Sequence, residues 1–233
     1  MTPIPTPQKP ALALLTLSFA LLTAFALTAC AQLDVVGRDS VTAFDQILAV
    51  PSVDIQASTA NNAWSLTAPD RTARFIWSND YHTSPLYDVF IEVDAQPFID
   101  AGLDINKLPT NIVIQNNKLL VGTKLDTAAA QAPSNPTALA AYEQIVAQSP
   151  NTIGYHAALD HFGVSLGDGN MFEWAKDVAT NDKDIVFVLN PTPLIAAGVD
   201  PTAVKGWVFA KVPMMMNGQE VQEDKLLKPF DLR

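Results

Sequence analysis

The chain has 233 residues, 14 basic against 24 acidic side chains for a net charge of -10, and is 48% hydrophobic and 16% charged. At roughly 150 residues per domain this length gives one or two domains, and the acidic balance argues against nucleic acid as a partner, since a polyanion is repelled. The one cysteine excludes a disulfide framework or a thiolate metal cage, and the one long apolar run excludes a polytopic membrane protein.

The first thirty residues differ from the rest. Met1–Pro10 carries four prolines and one charged side chain, Lys9. Ala11–Ala26 is apolar apart from Thr16, Ser18 and Thr23. That length suits the core of a signal peptide and is short for a membrane span, which needs about 20 residues. The run ends in Leu27-Thr28-Ala29-Cys30. A branched apolar residue, two small residues and a cysteine resemble the lipobox of bacterial lipoproteins. The resemblance implies cleavage before Cys30 and lipidation of Cys30 as the first mature residue. Residues 1–29 are then signal and 30–37 a tether. The resemblance further implies an extracytoplasmic body attached to the membrane, at the outer membrane in a Gram-negative cell or the surface in a Gram-positive one. Residues 30–233 keep 13 basic and all 24 acidic side chains, net -11. Anionic headgroups repel such a body, so the lipid alone has to hold it.

The body reads as one unit written twice. Val41, Phe44, Gln46, Ile47 and Leu48 answer Leu139, Tyr142, Gln144, Ile145 and Val146 at a spacing of 98. Phe75, Trp77 and Asp80 answer Phe172, Trp174 and Asp177 at 97. The stretch Asp94–Asp104 answers Asn190–Asp200 at 96. These matches predict a first repeat over 38–122, a linker over 123–135 rich in Ala, Thr, Pro and Ser, and a second repeat over 136–233.

Each repeat opens with an amphipathic helix; in the second, Asn135 is the expected cap and Pro136 the first-turn residue. Strand-like runs follow at Thr152–Leu159, Phe162–Leu166 and Met171–Trp174, with a turn at Gly167-Asp168-Gly169. A continuous apolar strand comes next, Val89–Val93 or Ile185–Leu189, interrupted only by Glu92. Pro97 and Pro193 start short helical turns, and Gly102 and Gly198 end them. Asp104 and Asp200 cap second turns. Terminal hairpins close the copies, Asn111–Gln115 with Lys118–Gly122 and Trp207–Val212 with Met214–Val221. Strands outnumber helices without regular alternation, so the expected class is α+β with mainly antiparallel sheets and an internal duplication.

The chain carries no phosphate loop, dinucleotide fingerprint or hydrolase signature, and implies no cofactor. His156 and His161 are the candidate metal or general-base residues. Their separation of five puts them on opposite faces of one continuous strand, unless a turn near Asp160 intervenes. Met214-Met215-Met216 is a soft-ligand candidate for copper(I), although three consecutive strand residues cannot all face one ion. Trp77 and Trp174, with Asp80 and Asp177 close behind, read as paired core aromatics or as a stacking platform for a sugar or cation. The leading expectation is a non-catalytic binding or interaction module of unknown protein or small-molecule ligand. The alternatives are metal handling through His156, His161 and the methionine run, and a hydrolase using Asp160, Asp168 or Glu173 near His161.

Overall fold

The computed structural model describes residues 34–59, 62–79, 87–125, 136–178, 183–216 and 219–233, with side chains of 214–220 excepted. The lipobox, Asp80 and most of the expected linker lie outside the described residues. Residues 31–233 form one compact unit.

The class is α+β. Helix α1 (Val35–Leu48) precedes β1 (Asp54–Ser58), β2 (Ala63–Thr67), β3 (Ala73–Ser78) and β4 (Val89–Asp94). A short helix α2 (Gln96–Asp100) leads to the hairpin β5 (Ile112–Gln115) and β6 (Lys118–Thr123). Helix α3 (Ala138–Gln148) then precedes β7 (Ile153–His156), β8 (His161–Ser165), β9 (Met171–Ala175) and β10 (Ile185–Leu189). Helix α4 (Thr192–Ala196) leads to β11 (Val208–Met216) and β12 (Gln219–Phe230). The first sheet runs β1-β2-β3-β4-β6-β5 and the second β7-β8-β9-β10-β12-β11, all neighbours antiparallel. Element for element, the two orders are the same.

Several local expectations change. The cap of α3 is Thr137, whose hydroxyl accepts from the Ala140 N–H at 3.2 Å. Pro136 stays outside the helix, and its carbonyl accepts from the Trp64 indole at 3.2 Å. The second terminal hairpin is longer than the repeat spacing predicts. Ile112 and Val208 are 96 apart, whereas Thr123 and Phe230, which pair with Val89 and Ile185, are 107 apart. The extra residues lengthen both arms, so Met214–Met216 belong to the first arm and not the second. Thr123 to Leu125 are structure rather than linker: Leu125 is buried and its N–H bonds Asp88.

The core forms between the halves. Alternation sends Phe75, Trp77, Phe172 and Trp174 to the inner faces, all 0% exposed. Phe75 stacks on its counterpart Phe172 at 4.3 Å and 6°. Each opening helix lies across the other half's strands: α1 against β7, β8 and β9, and α3 against β3. The Trp77 indole donates to the Ala138 carbonyl at 3.0 Å and the Trp174 indole to the Ser40 carbonyl at 3.3 Å, residues 98 apart in the two helices. Gly102 and Gly198 have φ of +104° and +99°, the left-handed end of a short helix. They also sit face to face, so that a Cβ on either meets the other's carbonyl oxygen within 2.8 Å. Asp104 N–H donates to Ala197 and Asp200 N–H to Ala101, at 2.8 and 2.9 Å.

Candidate functional site

The two sheets differ on the faces turned away from this core. In the second half, Ala157 to Asp160 form a turn, with Asp160 at φ +52°, and His156 pairs directly with His161 across the β7–β8 hairpin. The turn reverses the chain, so the odd separation no longer sends the rings to opposite faces. Glu173 on β9 lies beside them. Its Oε1 is 3.4 Å from His156 Nδ1 and its Oε2 3.6 Å from His161 Nδ1. His156 Nε2 donates to the Pro213 carbonyl and His161 Nε2 to the Lys183 carbonyl, both at 2.9 Å.

Glu173 and His161 are each 3% exposed. Burial pushes the Glu173 carboxyl up, but the hydrogen bond to His156 and the close approach of His161 outweigh it and hold the group below its ordinary range. His156 has acceptors at both nitrogens, a fit for imidazolium, and chiefly the Glu173 hydrogen bond raises its pKa.

The Pro213 contact shapes the whole second sheet. Strands spaced about 4.8 Å apart put β7 about 24 Å from β11 in a flat sheet of this order. A 2.9 Å hydrogen bond between them shows that the sheet is not flat and that the long hairpin, which runs on beyond the part of β12 paired with β10, comes round to His156. Val186 and Val188 on that face are accordingly buried. A Cβ on Gly163 would meet Met171 at 2.9 Å and Glu173 at 3.1 Å, so the space is full.

The first half leaves the equivalent face open. A cavity of about 600 Å³ lies there. Ser58 and Ala63, which pair across the β1–β2 hairpin, take the places of His156 and His161, and Ile76 takes that of Glu173. Ile76, Phe90 and Leu120 provide an apolar strip, the first and last only 6% exposed. The Arg74 guanidinium bonds Glu92 at 2.6 Å across the β3–β4 pair, and Lys118 bonds Asp94 at the same end. Ser65, Ser78, Gln115 and Asn116 add hydroxyl and amide groups. The signal in the sequence is the alternation of β3 and β4, where Arg74 and Glu92 interrupt runs that are wholly apolar in β10.

The candidate residues read from sequence fall differently. Trp77 and Trp174 are enclosed by protein and serve the core, not an open platform. Asp177 is half-buried. The backbone of Met214–Met216 lies in β11 opposite Val221, Glu220 and Gln219. Among the described residues no three donors converge to hold a metal ion, and the histidine nitrogens are already directed at oxygens. Asp160 accepts from the Tyr155 hydroxyl and Asp168 from the Asn111 amide. These two carboxylates sit at opposite ends of β8, about 13 Å of strand apart.

A repeated pair that the sequence reading passed over is Asp88 and Asp184, 96 apart and both 0% exposed. Asp88 accepts the Leu125 N–H at 2.7 Å and Asp184 the Leu232 N–H at 2.6 Å. Each anchors the chain just beyond its sheet. The matching Asp-Val and Asp-Ile dipeptides before β4 and β10 carry the signal.

No family model, no curated protein and no solved structure matches this chain.

Proposed function

We propose that this is a lipid-anchored bacterial envelope protein whose body is a non-catalytic binding module, with the first sheet's outer face as the binding surface. The observation that carries this reading is the asymmetry between two otherwise like sheets. One face is filled by the protein's own long hairpin, while the other has a cavity of about 600 Å³ within the size range of small-ligand sites. Leu27-Thr28-Ala29-Cys30 supports the anchor.

We further read the halves as descendants of one copied unit. The identical strand orders, the reciprocal tryptophan bonds and the facing glycines support this descent.

Substituting Cys30→Ser tests the anchor. The variant is expected in the soluble extracytoplasmic fraction, whereas the native chain stays with membranes and carries an acylated Cys30 by mass spectrometry. A native chain that retains Met1, or has an unmodified cysteine, overturns the anchor.

A further inference from the structure

We infer that the cavity on the first sheet is a site for a neutral oligosaccharide of two or three rings. The inference rests on reading that face as the binding surface and names the chemistry of its ligand.

Three features select the class. The charges that line the cavity are already paired: Arg74 with Glu92 inside it, and Lys118 with Asp94 just outside its lining. An anion or cation entering must compete with a partner already in place, so neither sign gains from the site as a whole. The polar groups are of the kind that grips hydroxyls. A guanidinium fork, a carboxylate, two amides and several serines present donors and acceptors in fixed planes, and a sugar ring offers both at each hydroxyl. The apolar surface is a narrow strip rather than a tunnel. Ile76 and Leu120 are nearly covered, as are Ala63 and Tyr87 beside them, while Phe90 and Trp64 are half-buried. Such a strip, with the Tyr87 ring 5.9 Å from Phe90, suits the C–H face of a pyranose against a ring, whereas an acyl chain needs apolar walls along its whole length and here meets Arg74, Glu92, Lys118 and the serines.

The second half shows what removes such a site. At the equivalent positions it has two imidazoles and a carboxylate that bind each other, and a hairpin lengthened until its Pro213 carbonyl reaches His156. The first half has Ser58, Ala63 and Ile76 there and a short β5–β6 hairpin. The duplicated scaffold thus holds one closed copy of the face and one open copy.

The experiment uses the 31–233 body, the compact unit, with methyl-labelled Ile and Leu. Cellotriose, maltotriose and chitotriose are titrated separately, with trigalacturonate as an anionic probe and monomeric dodecylphosphocholine as an amphiphile. At least one neutral trisaccharide is expected to bind once per chain, with a Kd below about 1 mM, and to shift the Ile76 and Leu120 methyls while leaving Ile185 and Leu189 in place. The double variant Arg74→Met/Glu92→Met, which removes both charges together, is expected to weaken it at least tenfold. The wild-type shift map localises binding even if that variant fails to fold. Binding of trigalacturonate or dodecylphosphocholine at Ile76 and Leu120 in place of every neutral sugar overturns the ligand class and leaves the binding surface standing. No shift at these methyls with any of the five probes overturns the ligand class and the binding surface together.

Discussion

Glu173 shows how much one residue can depend on its surroundings. In the sequence it is one of three acidic candidates near His161, and in the fold it is enclosed beside two imidazoles from the neighbouring hairpin. The direction of its pKa and that of His156 set a pH window. Glu173 is lowered from 4.5, so its contribution to stability is complete above that value and is lost as pH falls through the folded pKa. His156 is raised from 6.5, so its contribution is complete below that value and is lost as pH rises through the folded pKa. The cluster therefore stabilises most between about pH 4.5 and 6.5. Thermal melts of the 31–233 body are expected to drop from pH 6 to pH 8 more steeply for the native chain than for a His156→Gln variant. Parallel slopes would show that this histidine does not carry the effect.

At the scale of elements, two connections decide the architecture. The first is the meeting of the short helices α2 and α4 through Gly102 and Gly198. Neither glycine tolerates a side chain: φ is positive at both, and the opposite carbonyl occupies the place of a Cβ. Gly102→Ala and Gly198→Ala are each expected to destabilise by about 1–3 kcal/mol, the range for a residue forced into a sparsely populated backbone region, with the carbonyl clash adding to it. Denaturant melts measure this, and a change under 0.5 kcal/mol would be within the ordinary scatter of surface substitutions and would refute the close approach. The second connection is the β11–β12 hairpin, whose Pro213 carbonyl reaches His156 at the far edge of the second sheet. Both glycines were legible as helix ends from the sequence, since the left-handed role is local. Their mutual contact was not, because it joins residues 96 positions apart.

For the whole molecule, the sharing of the opening helices has the strongest consequence. Each sheet's inner face is covered jointly by both opening helices, its own through Phe44 on Trp77 or Tyr142 on Trp174 and the other through the reciprocal indole bonds. A chain of residues 31–125 thus lacks α3 and leaves α1 without β7–β9. As a dilute monomer it is expected to show no cooperative melt. If the halves descend from one unit, a second copy of the fragment supplies the missing cover, so a sigmoidal melt should appear as concentration rises. Circular dichroism at several concentrations checks this. A monomeric fragment that melts cooperatively would show the halves to be independent, and the absence of any concentration dependence would count against descent from a self-pairing unit.

The sequence alone determined the α+β class, the paired elements at spacings near 97, the caps at Asp104 and the glycine helix ends. These follow from short-range periodicity and backbone preference, which act over a few residues. It also placed Trp77 and Trp174 at matching positions, but their neighbours were not legible, because each indole finds its partner in the other half. Only the tertiary structure decided that the halves share one core, that the His156 and His161 rings lie on one face with Glu173 between them, and that one outer face is closed while the other stays open. The physical reason is that burial, pKa and cavity all depend on which distant surfaces meet. Eleven added residues in a hairpin, inconspicuous in a linear reading, are enough to close one face of a sheet while its counterpart keeps a cavity of about 600 Å³.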